Sequence, residues 1–419
     1  MLESEVVRDF LLNDVLERFL RYVKVWTTSD ISSASFPSTV NQFELGKILL
    51  EELKQLGLKD VFQDKNGFVY ANVPPSKGIE KAPPFGLLAH LDTSSAVSGK
   101  DVKPVIHRNY KGGEIKLAKS LSISMRDSDN LTNYIGLDII TSEGDTLLGA
   151  DDKAGIAEIM AACAAWIKFP ELKHGPITIC FSPDEETGKQ AILKVDEKRL
   201  PKICYTIDGG EIGQLEYECF DAWLAIINFK GLNVHTGHAK DKMVNAIHIA
   251  SRLLSELPES ESPEHTEGRE GFFHITQLTG NAEEASARLL LRDYELEGNE
   301  RRKSYLKTLK SLYEIRYPGL NIELNFTHQY ENMLRYVEKE QRAISLAKKA
   351  IELAGLEVKV HSTRGGTDGS LLSAKGIPTP NMFTGGELFH SRKEYIPTLS
   401  LQKATETIIN LAELWSKEI

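Results

Sequence analysis

Between Asn13 and Lys24 apolar residues recur at helical spacing, which predicts a first helix. A Ser/Thr-rich loop, Thr27 to Thr39, follows it. The next apolar face, Leu45, Ile48, Leu49, Leu53 and Leu56, predicts a second helix ending near Gly57, where a left-handed residue can close the last turn. Gly67 to Val73 and Gly86 to Leu91 are short apolar runs that read as strands, separated by the loop Pro74 to Pro84. From Asp152 onward the order is helix (Lys153 to Ile167), strand (Ile177 to Phe181), helical stretch (Lys189 to Val195) and strand (Ile203 to Ile207). That alternation indicates an α/β sheet.

The pattern changes near Leu215. Trp223 to Phe229, Gly271 to Leu278 and Ala287 to Leu291 resemble half-buried antiparallel strands, with helices around Val244 to Leu257 and Glu300 to Ile315. After Asn332 the α/β character returns: helix Glu338 to Leu353, strands Glu357 to His361 and Pro380 to Phe383, and a last helix Leu401 to Lys417. With 419 residues the chain exceeds one ordinary core. The expected fold class is α/β: a mixed-sheet domain formed by residues 1–214 and 329–419, with a smaller α+β domain, 215–328, inserted. The acidic stretch Glu256 to Glu270 reads as a solvated lid loop.

Charge and composition narrow the partners. Sixty acidic against 50 basic side chains give a net charge of −10, which argues against nucleic acid or an anionic membrane as partner. The cysteines Cys163, Cys180, Cys204 and Cys219 have no CxxC spacing and read as buried free thiols. The start, MLESEVVRDFLLNDVLERF, is acidic and lacks the basic front and apolar stretch of a secretory signal, so the expected compartment is the cytoplasm.

Five segments place acids or histidines where strands should end: His90-Leu91-Asp92, Asp151-Asp152-Lys153, Glu185-Glu186, Asp208-Gly209-Gly210 and Phe389-His390. Open α/β sheets bind ligands at such ends. Singly, each has a plain structural reading as a polar pair, a helix start, a turn or a surface histidine. Jointly they need a cation, because like carboxylates after apolar runs converge only when something neutralises them. Imidazole and carboxylate without thiolate suit a pair of zinc ions, with manganese or cobalt as alternatives, better than magnesium or calcium.

The stretches GLLAHLDTS, TLLGADDKAGIAEIM, PDEETG, TIDGGEIG, MVNAI, ESPEHTEGREGFFH, RGGTDGS and FTGG resemble the peptidase T family, within the wider clan of co-catalytic zinc exopeptidases and deacylases. The resemblance runs over nearly the whole chain and implies a cytoplasmic aminopeptidase of tripeptides, a homodimer whose inserted domain acts as lid and dimerisation unit. It implies that His90, Asp151 and Asp208 hold one Zn2+, and that Asp151, Glu186 and His390 hold the other. By the same resemblance Asp92 accepts the second ring N–H of His90, Glu185 is the general base, and the Asp151-Asp152 bond is cis.

In the inserted domain the resemblance makes His235 an oxyanion donor to a neighbouring subunit's site. Thr236 stands where many relatives have proline, and His238 is a nearby alternative. Arg292 and Arg364 match positions that hold substrate carboxylate or carbonyl groups, with Gly365, Gly366 and Gly369 admitting close approach. Glu387-Leu388-Phe389 departs from the polar-aromatic stretch expected before His390. A dipeptidase, carboxypeptidase or N-acyl amino acid deacylase would share the metal motifs, and a silent binding protein could share the fold. The second of these tends to lose ligands or base, and here all are present.

Overall fold

A computed structural model describes residues 4–118 and 120–418; the first three residues of the acidic start lie outside them. The chain divides into two compact units. One takes everything up to Tyr217, then Arg335–His361 and everything from Thr367 on; the other takes Glu218–Leu334 and Ser362–Gly366.

The larger unit is built on an eight-stranded mixed sheet. Its order is Lys59–Gln63, Val69–Val73, Ile177–Ser182, Phe85–His90, Cys204–Gly209, Asn381–Phe383, Gln214–Cys219 and Lys359–Thr363. Phe85–His90, Ile177–Ser182, Cys204–Gly209 and Asn381–Phe383 run parallel, while Lys59–Gln63 on Val69–Val73, Val69–Val73 on Ile177–Ser182, and Gln214–Cys219 on Asn381–Phe383 pair antiparallel. Every residue of Phe85–His90 is buried. This is what a strand covered on both faces requires, and it explains the unbroken apolar run in the sequence. Leu87 and Ala89 join the main core with helices Glu5–Tyr22, Ala150–Lys168, Gln341–Leu353 and Thr398–Trp415, whereas Leu88 joins the opposite core with Leu372 and Ile192.

Ala150–Lys168 is the central helix, buried on nearly all sides because its alanines let flanking helices approach. At Gly155 an added Cβ would lie 1.9 Å from the carbonyl oxygen of Ile207. The helix that begins beside Asp151 therefore docks directly on the strand that carries Asp208.

Several elements differ from the periodicity. The first helix starts at Glu5, because Val7 and Leu11 extend the buried stripe of Val15, Phe19 and Tyr22 through charged neighbours. The second, Gln42–Gln55, buries Leu45, Gly46, Leu49 and Leu53 but leaves Ile48 38% exposed. Lys189 to Val195 reduces to the 3-10 turn Ala191–Lys194. The edge strand Lys59–Gln63 and the strand Gln214–Cys219 were not signalled, and Asp368–Ala374, within a glycine-containing stretch, is a helix at whose start Ser370 Oγ accepts from Thr367 N at 3.2 Å. A small sheet of Tyr395–Pro397, Ile139–Ser142 and Pro104–His107 completes the unit.

The smaller unit has an antiparallel sheet in the order Phe272–Gly280, Glu284–Asp293, Asp221–Lys230, Asn321–Tyr330. Alternate residues Ala225, Ile227, Phe229, Leu289, Leu291 and Ile322 pack against helices Ala246–Leu254 and Leu296–Arg316. The strand Asn321–Tyr330 is not among those named from the sequence, although Ile322, Leu324 and Phe326 alternate with polar residues along it and turn toward the core. Residues 362–366, expected in the larger domain, pack here instead: the Tyr294 hydroxyl donates to the Ser362 carbonyl at 2.8 Å and Phe220 N donates to the Thr363 carbonyl at 3.3 Å. All four cysteines are buried, and none is in a disulfide. No helix among the described residues is long and apolar enough to cross a membrane.

Candidate metal centre

The parallel strands deliver their carboxyl ends side by side, and the acids and histidines come from there. His90 is the last residue of its strand, Asp208 lies in Cys204–Gly209, Glu185 and Glu186 form the 3-10 turn just after Ile177–Ser182, and Asp151 sits at the kinked start of the central helix. The Asp151-Asp152 peptide bond is cis. His390 follows Asn381–Phe383 and has a φ of 57°.

Nε2 of His90 lies 2.8 Å from Oδ1 of Asp151 and 3.5 Å from Oδ1 of Asp208. Nε2 of His390 lies 2.9 Å from Oδ2 of Asp151 and 2.7 Å from Oε1 of Glu186. Two donor groups result, His90/Asp151/Asp208 and Asp151/Glu186/His390, each with its ligand atoms within 4.8 Å of one another. Asp151 belongs to both, one oxygen turned to each. Burial and neighbouring Asp151 push Glu186 up to about 7, and burial pushes Asp208 up to about 6. Carboxylates held this close out of water favour a cation between them. The nitrogen and oxygen donors fit a pair of divalent transition ions.

Asp92 is fully buried, and it meets the second ring nitrogen of His90 with both its main chain and its side chain. Nδ1 of His90 donates to the Asp92 backbone carbonyl at 3.0 Å, and the nearest carboxylate oxygen is 3.4 Å away. The carboxylate also accepts the backbone N–H groups of Glu185 and Glu186 at 3.0 and 3.2 Å. Thus Asp92 orients both the His90 ring and the glutamate turn. Burial, with Asp208, Asp368 and Glu186 nearby, pushes the Glu185 carboxyl well above its ordinary range.

Three further residues hold the site in ways the sequence did not disclose. Buried Glu394 accepts from the backbone N–H groups of Leu148, Gly149 and Asp151 at 2.7, 2.8 and 3.1 Å, fixing the loop that presents Asp151. Asn381 accepts from Asp208 N at 3.1 Å and donates to Glu216 at 2.8 Å. Glu387 accepts hydroxyls from Ser128, Tyr134 and Tyr395 at 2.6, 2.8 and 2.8 Å, so it anchors the turn before His390. Only the short distance of Glu387 and Glu394 from His390 in sequence hinted at any of this.

His235, Arg292 and Arg364 belong to the smaller unit. His235 is exposed, its Nδ1 accepting from Gly237 N at 3.1 Å, with the His238 ring 5.6 Å away. Arg292 is buried and donates to the carbonyls of Trp223 and Leu291 and to Oε1 of Gln329. Arg364 donates to the carbonyls of Gly268 and Glu270 and to Oγ1 of Thr266, and its guanidinium lies beside the rings of Phe220 and Phe272. Each guanidinium thus has contacts within its own unit that the bare motif did not disclose.

Residues 143–414 match the peptidase family M20/M25/M40. The chain belongs to that family. Within it, the chain is 45% identical over 410 residues to the peptidase T of Caldanaerobacter subterraneus subsp. tengcongensis, covering 97% of this chain and 100% of that one. It is 44% identical over 408 residues to the peptidase T of Geobacillus sp. (strain WCH70), covering 97% and 99%. Aminopeptidase PepT from Bacillus cereus shares the fold, with a TM-score of 0.76, 22% identity and coverage of 97% and 99%. A Bacillus subtilis M20 protein described as a dinuclear metal-binding peptidase does so at a TM-score of 0.65, 13% identity and coverage of 98% and 99%.

Proposed function

We propose that this chain is a cytoplasmic, homodimeric di-zinc aminopeptidase that removes the N-terminal residue from tripeptides. The observation that carries the reading is the pair of donor groups sharing Asp151, set in a chain that aligns over 97% of its length with peptidases T. His90, Asp151 and Asp208 would hold one ion; Asp151, Glu186 and His390 would hold the second. When bound, such a pair lowers the pKa of water and polarises the scissile carbonyl.

The chain's own residues do the rest. Glu185 is one residue from a ligand yet in neither donor group, so its carboxylate is free to take a proton from water and return it to the leaving amine. Asp92 keeps the Glu185 backbone in place, and Nδ1–H of His90 is committed to a carbonyl, which leaves Nε2 as the ligand atom. We assign His235 to the oxyanion, acting from a lid and across a dimer, and Arg364 or Arg292 to the peptide's C-terminal carboxylate. Arg364 spends three of its five N–H donors on the loop Thr266 to Glu270 and keeps others for a carboxylate.

A peptide panel tests the reading. Free tripeptides should exceed dipeptides, tetrapeptides and C-terminally amidated tripeptides in kcat/KM, with the N-terminal residue as first product. A charged hydrogen bond of about 1.5–3 kcal/mol corresponds to roughly ten- to a hundred-fold discrimination. Arg364→Ala should erase much of it while metal content stays constant. Preference for a dipeptide or an acylated amino acid would reassign the substrate.

A further inference from the structure

Asp184 immediately precedes Glu185 and has a φ of 61°, in the left-handed region that non-glycine residues seldom occupy. Its side chain is buried and takes three donors: Ser38 N at 2.6 Å, Ser38 Oγ at 2.5 Å and Gln42 Nε2 at 2.6 Å. In return, Asp184 N donates to Gln42 Oε1 at 3.0 Å. One amide therefore closes a ring with the backbone and carboxylate of a single residue. An amide can do this because it carries both donor and acceptor; a carboxylate in its place could only accept, and an alkyl chain could do neither.

Gln42 is itself fully buried and opens the helix Gln42–Gln55, which Leu45, Leu49 and Leu53 anchor in the main core. Its amide also reaches Thr39 Oγ1 at 3.2 Å, so the end of the Ser/Thr-rich loop is part of the same grip. On the other side of the turn the Asp92 carboxylate holds Glu185 N and Glu186 N. The segment Asp184 to Glu186 is thereby gripped from two directions, by one group rooted in a helix and one at the end of the central strand.

We propose that Gln42 is a positioning residue for Glu185, holding Asp184 with the help of Ser38 so that the Glu185 carboxylate is presented at one fixed place. The inference rests on Glu185 being the general base. Without Gln42 the Asp184 N–H and carboxylate are left short of partners in a buried setting, and the turn relaxes to find others. A displacement of about 1 Å at a reacting group can cost ~10²-fold in rate.

The test is steady-state hydrolysis of a tripeptide by Gln42→Leu in the wild-type and Glu185→Gln backgrounds, with metal content and thermal unfolding measured on each protein. In the wild-type background kcat should fall by roughly 10- to 100-fold, KM should stay within about threefold and metal content should not change. In the Glu185→Gln background the same substitution should cost nothing further, because residues acting through one group are non-additive. Should Gln42→Leu not fold, Ser38→Ala, which removes one of three donors, carries the same comparison with a loss of roughly 3- to 10-fold. Unchanged kcat, a rise in KM alone, a parallel fall in metal content, or an equal further loss on Glu185→Gln each overturns the proposal. Wild-type activity in Glu185→Gln would overturn the base assignment and this proposal together, whereas an inactive Glu185→Gln beside an active Gln42→Leu overturns this proposal alone.

Discussion

Asp92 and Glu185 are joined by a hydrogen bond of 3.0 Å from the Glu185 backbone N–H to the Asp92 carboxylate, and Glu186 N donates to the same group at 3.2 Å. Because the Asp92 carbonyl also receives Nδ1 of His90, one buried residue supports the histidine that ends one strand and the turn after the neighbouring strand. Asp92→Ala should therefore lower metal affinity or activity by roughly 10- to 100-fold, the usual cost of removing a group that orients ligands. Asp92→Asn keeps one acceptor oxygen and should lose less. Chelator competition and kcat, measured together, decide it; an Asp92→Ala protein equal to wild type in both would remove Asp92 from the role.

Glu185 and Glu186 are neighbours with different expected losses. Glu185→Gln should keep both ions and lose roughly 10²–10⁴-fold in kcat, as removal of a general base does. Glu186→Gln should instead lower the stoichiometry of bound metal, since its Oε1 is in the donor group of Asp151 and His390. Elemental analysis after dialysis separates the two. Two ions lost in Glu185→Gln, or none in Glu186→Gln, would exchange their roles.

Gly155 sets the spacing between the central helix and the strand bearing Asp208. A Cβ there would stand 1.9 Å from the Ile207 carbonyl oxygen, a backbone atom that cannot swing aside. Gly155→Ala should destabilise the fold by about 1–3 kcal/mol, as overpacking does. It should also weaken the site of His90, Asp151 and Asp208 more than the other. Thermal unfolding and stepwise metal titration give the two numbers. A fully stable variant with wild-type affinities would show that the contact is relieved at no cost.

Glu158, on the central helix, is fully buried with neither carboxylate oxygen hydrogen-bonded. Burial raises its pKa well above the ordinary value. In the unfolded chain the group titrates near ~4.3. The folded chain keeps its proton to higher pH, so this group's contribution is fully present below the unfolded value and is lost as pH rises toward the folded one, by about 1.4 kcal/mol per pH unit. Glu158→Gln has no such charge to bury. Its stability relative to wild type should rise steadily from about pH 5 upward in denaturant unfolding; a difference independent of pH would show that Glu158 has found a partner.

The ligand types were legible in the sequence because metal chemistry restricts them to a few side chains. The strands that place them were legible because burial on both faces makes them continuously apolar, as in Phe85–His90. In the smaller unit the alternation of Ala225, Ile227 and Phe229, and of Ile322, Leu324 and Phe326, covers one face only and gives a weaker signal than a continuous apolar run.

What only the tertiary structure decided is which polar groups meet. Gln42 and Asp184 are 142 residues apart, and Glu394 and Asp151 are 243 apart. Nothing local marks Gln42 as different from any glutamine at a helix start, and Arg364 looks the same whether its guanidinium faces solvent or the carbonyls of Gly268 and Glu270. Periodicity reports the direction in which a side chain is buried, and residue type reports what it could bind. The partner it binds is chosen by packing distant segments together, where an unpaired buried polar group costs too much to persist.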